Sequence, residues 1–317
     1  MQPQILQFLR QSDGYFSGED LSRHLKISRA GIWKHIEDLR EQGYEIEAVP
    51  HRGYRLLSLP DKLYPQEIQQ GLKANILGQK IIYHETVSST MDEAVALGIQ
   101  GAPEGTVVCA ESQTKGRGRL GRNWISPKGK GIYMSVILRP QVSLSVVSQL
   151  TLVCAVGVCE AIQSATNLPV KIKWPNDILI NDQKVAGLLM ELNAEMDRVR
   201  FVVLGVGLNV NTPLQQLPVG ATSLKAAGAK DLTRIEIFQK ILESLEEWYL
   251  IFQRDGFKSI MPRWKELSDM IGKRIKFYDG KDVLEGEAIG LAEDGGLLLR
   301  NDRGEVIKKL AGDMVLR

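Results

Sequence analysis

Residues 114–130 read "TKGRGRLGRNWISPKGK", and how they are read decides the fold around them. Gly116, Gly118 and Gly121 spell G-x-G-x-x-G, the fingerprint of a dinucleotide-binding turn in a doubly wound parallel sheet. That turn needs a strand before it and a helix after it, so that a pyrophosphate meets the helix N-terminus. The strand is present as "GTVVCAES" (105–112), but the helix is not. Pro127, Gly129 and Gly131 interrupt the downstream segment, and "GIYMSVILRP" (131–140) is a second strand. The acid expected after the fingerprint is missing, and no Gly-Lys-Ser/Thr makes it a phosphate loop of the Walker kind. The stretch therefore joins two strands, and the sheet it belongs to is largely hairpin-connected.

Six Lys or Arg and no acid leave three readings of this loop: a solvated basic surface, an arm for nucleic acid, or a lid for a small anion. Arginine forks match carboxylate and phosphate oxygens, and glycine lets the backbone approach a ligand closely. On the third reading the loop lacks fixed structure when empty and folds over its ligand.

Strands and helices alternate outward from the loop. "KIIYHETV" (80–87) reads as a strand, and "SSTMDEAVALGI" (88–99) as a helix with Thr90 and Glu93 as a capping box. An apolar helix within "SLSVVSQLTLVCAVGVCEAI" (143–162) ends near Asn167-Leu168-Pro169. "VKIKWPNDILI" (170–180), "QKVAGLLMELN" (183–193) and "RFVVLGVGLNV" (200–210) are strands, the first two joined by a turn at Asn181-Asp182. "TRIEIFQKILESLEEWYLIFQRDG" (233–256) has the spacing of an amphipathic helix. Residues 66–268 thus form an α+β domain with a mixed, mainly antiparallel sheet. From 270 to 317, short strands separated by glycine turns at Asp279-Gly280, Asp294-Gly295-Gly296 and Arg303-Gly304 read as a small SH3-like β-barrel.

Residues 1–62 make a third unit, joined by a Pro-bearing linker. "QILQFLRQ" (4–11) is a helix ending at Asp13-Gly14; Ser17 and Ser28 cap two more, with Asp20 placed for a capping box, and Gly43 closes the third. "YEIEAVP" (44–50) and "GYRLLSL" (53–59) form a hairpin, completing the order of a winged helix-turn-helix whose reading part spans about 18–37. Residues 1–60 hold eight basic and eight acidic side chains, so any DNA contact comes from placement and not from net charge. Ser28, Arg29, Lys34 and His35 on the third helix and His51, Arg52 and Arg55 on the wing are the candidates; contacts to protein alone are the other reading. Trp33 is expected to be half-core with Ile32 and Ile36, away from DNA.

Composition bounds the rest. A hydrophobic share of 44% beside 25% charged residues is that of a globular chain, and a formal charge of +2 places any basic function locally. Cys109, Cys154 and Cys159 lie in apolar runs without C-x-x-C spacing, which predicts buried free thiols. The apolar helix is broken by Ser, Gln and Thr, and the N-terminus lacks the layout of a signal peptide. The expectation is a cytoplasmic protein with no membrane partner.

Five motifs then stand in one order: "SST" (88–90), "ESQTKGRGRLGRNW" (111–124), "KWPNDIL" (173–179), "KVAGLLMEL" (184–192) and "GVGLN" (205–209). In order and spacing the chain resembles the biotin protein ligases. Its N-terminal unit and its ending "GDMVLR" extend the resemblance over essentially the whole length, to the class that doubles as biotin operon repressor.

The resemblance implies attack of the biotin carboxylate on the α-phosphate of MgATP, giving biotinyl-5′-AMP, then transfer to a lysine of a biotin carboxyl carrier protein such as that of acetyl-CoA carboxylase. By position it assigns biotin to Ser89, Thr90, Met91, Gln113, Gly116, Arg117, Gly118, Arg119, Lys184 and Gly187. It assigns ATP and the adenylate to Arg119, Arg122, Trp124, Lys173, Asn176, Asp177, Gly205 and Asn209, with Asp177 also toward Mg²⁺. Lys184, Arg119 and Asp177 are the implied catalytic set. Met91 departs from the Asn that many members carry there, and Leu120 interrupts a run more basic in some relatives. Operator DNA and a homodimer promoted by biotinyl-AMP are the implied partners. A non-catalytic biotin sensor and a ligase for lipoate or another acid are the alternatives.

Overall fold

The structure is a computed structural model describing every residue except 13, 197, 231, 280, 281, 311 and 317. The expected turns at Asp13-Gly14 and Asp279-Gly280 therefore lie partly outside the described residues. The chain divides into two compact units, Met1–Lys62 and Leu63–Arg317.

The first unit has helices α1 (Gln2–Gln11), α2 (Gly18–Leu25) and α3 (Arg29–Glu41), then strands β1 (Glu45–Val49) and β2 (Gly53–Ser58). Ser17 Oγ accepts from Glu19 N and Ser28 Oγ from Gly31 N, so both serines cap their helices as expected. Asp20 pairs with Arg23 at 3.3 Å. Gly43 N donates to Arg40 O and Tyr44 N to Leu39 O, the paired bonds of a Schellman ending, with Gly43 at φ 98°. Ile5, Leu6, Leu9, Leu21, Ile32, Ile36 and Leu39 bury their side chains between the helices. Gly53 lies so close to the chain of Phe16 that a Cβ would meet Phe16 O at 2.1 Å, which fixes where the wing folds back.

The second unit starts with α4 (Pro65–Gln69), β3 (Ile81–His84), α5 (Thr90–Ile99), β4 (Val107–Ala110) and β5 (Gly131–Leu138). It continues with α6 (Gln149–Thr166), β6 (Val170–Lys173), β7 (Asp177–Ile180), β8 (Gln183–Glu195), β9 (Arg198–Asn209), α7 (Arg234–Asp255) and α8 (Phe257–Leu267). Seven strands form one sheet in the order β3-β4-β5-β9-β8-β7-β6. Only β3 and β4 run parallel, joined through α5; every other neighbour pair is antiparallel. A doubly wound sheet is thereby excluded. The fold is α+β, as expected.

Helices α6, α7 and α8 cover one face with the large core, while α5 covers part of the other over a smaller cluster of Met91, Ala94, Val108, Ile137, Phe201 and Val203. Covered on both faces, β5 is buried at every residue. Helix α6 is long and apolar enough to cross a membrane by length and composition, yet 67% of it is buried inside the fold. The three cysteines are buried free thiols, and burial pushes Cys154 and Cys159 up to about 12.

Strands β10 (Arg274–Asp279), β11 (Asp282–Leu291), β12 (Leu297–Arg300), β13 (Val306–Lys309) and β14 (Asp313–Leu316) form an antiparallel sheet ordered β13-β12-β11-β10-β14. The expected barrel is thus a five-stranded sheet whose ends are β13 and β14. It packs on the sheet of the same unit: Trp174 Nε1 donates to Gly295 O at 3.2 Å, and the Trp174 and Phe277 rings lie 6.1 Å apart.

Candidate active site

The sequence around "GVGLN" and "KVAGLL" leaves one face of the sheet bare beside α5. Residues 203, 205, 207 and 209 of β9 point to the α5 side, and the register sets Gly187 opposite Gly207. Gly205 carries no side chain because a Cβ would meet Met91 Sδ at 2.6 Å; one on Gly207 would meet the Trp124 indole at 2.5 Å. Gly187, Gly205 and Gly207 are thus the floor of a trough, bounded by Met91 and Thr90 where α5 begins. The trough is a cavity of about 240 Å³.

The 114–130 loop roofs it. Gly118 N donates to Arg122 O and Trp124 N to Gly116 O, so residues 116–124 fold back on themselves as a small hairpin. Arg117 ties this hairpin down through Asp92 at 2.7 Å and Glu191 at 3.0 Å. Arg119 Nη1 donates to Asn176 Oδ1 at 3.0 Å. The expected lid has a framework of glycine turns and three guanidinium contacts that periodicity does not reveal.

Thr90 differs from expectation at its backbone. Ser89, extended at φ −155°, is the N-cap of α5 without a side-chain cap bond, so the Thr90–Glu93 box is not formed. Gln113 Oε1 instead accepts from Thr90 N at 2.9 Å, satisfying a helix-end donor that would otherwise lack a partner. The Thr90 hydroxyl donates to the same Oε1 at 3.2 Å and accepts from Ser135 Oγ at 2.8 Å. A local capping pattern has lost to a tertiary contact, and Thr90 lines the trough.

At the other end, Lys184 Nζ lies 2.6 Å from Asp177 Oδ1 and 5.4 Å from the centre of the Trp124 ring. Asp177 is placed by the hairpin of β7 and β8, whose turn holds Asn181 and Asp182 at φ 49° and 62°. Asn176 is locked by Leu188: its Nδ2 donates to Leu188 O at 2.6 Å, and Leu188 N donates to its carbonyl at 2.9 Å. Pro175 follows a cis bond between β6 and β7.

Of the residues assigned from the sequence, Thr90, Met91, Gln113, Arg117, Gly118, Arg119, Arg122, Trp124, Asn176, Asp177, Lys184, Gly187, Gly205 and Asn209 line this one cavity. Ser89, Gly116 and Lys173 do not. Ser89 is fully buried with its hydroxyl unpartnered, Gly116 packs under Trp124, and Lys173 stands across the strands from Asp177. Sequence reasoning missed Leu217, Pro218 and Ala221, which reach the wall because Lys184 N bonds Gly220 O and Thr222 N bonds Lys184 O. No side chain in that segment advertises a role; only the β-bridge brings it there.

Asp177 is the one carboxylate lining the cavity among the described residues, and no cluster of three metal-ligand side chains occurs among them. Mg²⁺ bound by one protein carboxylate and substrate phosphates is an ordinary arrangement, so the residues fit a magnesium–nucleotide substrate and not a metal cage of protein groups.

In the first unit, Ser28, Arg29 and Lys34 are exposed on α3, and Arg52 and Arg55 on the wing, with Arg52 stacked 4.2 Å above the Tyr15 ring. His35 is half-buried, its Nδ1 3.8 Å from Asp38. Trp33, expected to be half-core, is instead 59% exposed. Residues 32, 36 and 39 hold the inward seam of α3, and position 33 falls outside it.

A winged helix and a cation-lined trough floored by glycines define a DNA-binding type of module joined to a site for an anionic small molecule. Residues 83–209 match the biotin/lipoate A/B protein ligase family, 2–55 an HTH domain and 270–317 the biotin protein ligase C-terminal domain. The bifunctional ligase/repressor BirA of Bacillus subtilis is 43% identical, covering 96% of this chain and 94% of its own length. That of Escherichia coli is 31% identical, covering 96% and 93%. A biotin protein ligase from Aquifex aeolicus, solved with biotin and ATP, superposes with a TM-score of 0.65 at 32% identity, over 75% of this chain and 99% of that one. The chain belongs to the biotin protein ligase family, in its bifunctional ligase/repressor form.

Proposed function

We propose that this chain activates biotin with ATP and passes the biotinyl group to a lysine of a biotin carboxyl carrier protein, and that its winged helix represses biotin-synthesis genes. The observation that carries this reading is the trough itself: an apolar floor of strand glycines closed by Trp124, with Lys184, Arg119 and Asp177 gathered at one end. A neutral ureido ring finds hydroxyl and amide partners at Thr90 and Gln113, and the acyl chain runs past Trp124 toward Lys184.

In the first step a biotin carboxylate oxygen bonds to the α-phosphorus of ATP, and the bond to the pyrophosphate oxygen breaks. Negative charge concentrates on the α-phosphate oxygens. Mg²⁺ neutralises charge on the phosphates when bound. Lys184 and Arg119 hold fixed positive charge toward the reacting centre without reorganising during the reaction. Asp177 holds the Lys184 ammonium in position, and the Asn176–Leu188 bonds hold the amide that anchors Arg119. Trp124 and the loop exclude water from the mixed anhydride. In the second step the carrier lysine amine attacks the biotinyl carbonyl, loses its proton, and AMP leaves.

The N-terminal unit carries no net charge over residues 1–60, so tight operator binding calls for two copies. A homodimer promoted by biotinyl-AMP, bound to two half-sites, meets that need, and a cytoplasmic location is part of the same reading. Gel shifts on biotin-gene promoter DNA test it. The reading expects affinity to rise when biotin and ATP are supplied together; equal affinity with and without them would remove ligand control.

A further inference from the structure

Trp33 is the one tryptophan of residues 1–62 and one of the most exposed large apolar side chains of the unit, at 59%. It has no hydrogen bond or ring contact among the described residues of the unit. Helix α3 turns Ile32, Ile36 and Leu39 inward, which leaves Ala30, Trp33, Lys34 and Glu37 on the side away from the core. Arg29 lies one turn before the indole and Lys34 beside it, while Glu37, one turn after it, is paired with Arg40 at 2.7 Å. Ala30 presents only a methyl group between them, so the face can approach a surface closely.

We propose that Trp33 reads thymine: its indole packs against C5-methyl groups in the major groove, making it a specificity-determining residue beside the cationic phosphate contacts. This rests on the DNA-binding reading of the winged helix. The N-terminal half of such a helix enters the major groove, where a thymine methyl is the one apolar mark on a base edge. A helix face of an alanine and a tryptophan flanked by two cations matches an apolar mark bordered by phosphates. Carrying no charge, the indole contributes sequence preference and leaves the salt dependence alone, whereas Arg29 and Lys34 set the salt slope.

The test uses the full chain with biotin, ATP and Mg²⁺ to select sites from random-sequence duplexes. Each thymine of the selected site is then replaced in turn by deoxyuridine, which lacks only the methyl group. The wild type is expected to lose about fourfold in affinity at one or two positions per half-site, the worth of one methyl-sized apolar contact. Trp33→Ala should bind the intact site more weakly with an unchanged salt slope and no longer sense those replacements. Trp33→Phe should keep part of the methyl dependence. Wild-type indifference to every replacement overturns the proposal without recourse to any variant. So does a Trp33→Ala protein that binds as tightly as wild type, which would leave the indole to a protein contact. A selection that enriches no sequence removes the DNA-binding reading and this inference with it; methyl indifference removes this inference alone.

Discussion

Gly207 brings no reactive group, yet the site depends on what it lacks. A Cβ there would lie 2.5 Å from the Trp124 indole, so Gly207→Ala must push the tryptophan off the floor. Overpacking of this kind costs about 1–3 kcal/mol, and calorimetry should show biotin affinity falling roughly tenfold while the fold persists. Wild-type affinity in that variant would mean Trp124 does not roof the biotin site. In the proposed mechanism Lys184→Ala removes the charge offered to the reacting phosphate, and adenylation is expected to fall on the order of 10²–10³-fold. At this scale the sequence is legible where chemistry marks the residue, as with Lys184, Asp177 and the loop arginines, which line one cavity. It is silent on Pro218 and Ala221, which have only shape to offer, and it misplaces Trp33, because helical spacing does not distinguish a flank from a seam.

Elements are legible where their ends are marked: the serine caps, the Gly43 ending and the turn at Asn181-Asp182 all form. Helix α8 is not, since Pro262 sits inside it and Gly256 before it, both normally read as breaks. The framework of the lid is not legible in sequence because it comes from ion pairs to distant elements. Helix α7 is held by partners far away in sequence. Its Glu246 accepts from the backbone N–H groups of Asn75, Ile76 and Leu77, and Arg234 pairs with Glu111 at 2.8 Å, fully buried. Glu111 Oε1 also accepts from Leu63 N, so one carboxylate fixes the helix and the start of the unit together. Arg234→Met leaves that carboxylate buried without its cation, and chemical denaturation should record a loss of about 3–5 kcal/mol. Replacing Glu111 by Gln in the same chain should recover part of it. No recovery would mean the pair acts through packing alone.

For the whole molecule, buried acids set the response to alkali. Burial holds Cys154 and Cys159 up at about 12 against an ordinary 9.0, and pushes Cys109, Tyr83, Tyr133 and Tyr249 upward as well. Above pH 9 the unfolded chain has released thiol protons that the folded chain still holds, so it binds fewer protons and stability falls as pH rises. The thermal midpoint should therefore decline between pH 9 and 12 more steeply in wild type than in a Cys154→Ala, Cys159→Ala double variant. Parallel curves would show that these thiols ionise normally. The joining of a repressor-type module to a ligase is legible from end to end, since five motifs in order constrain a chain far more tightly than the G-x-G-x-x-G spelling that misleads within it. All of the proposed chemistry depends on the trough under Trp124 adenylating biotin. Exchange of labelled pyrophosphate into ATP by the purified chain reads that step alone. Exchange should require biotin and Mg²⁺ and collapse in Lys184→Ala; exchange supported by lipoate and not biotin, or none at all, would contradict the adenylation assigned to the trough.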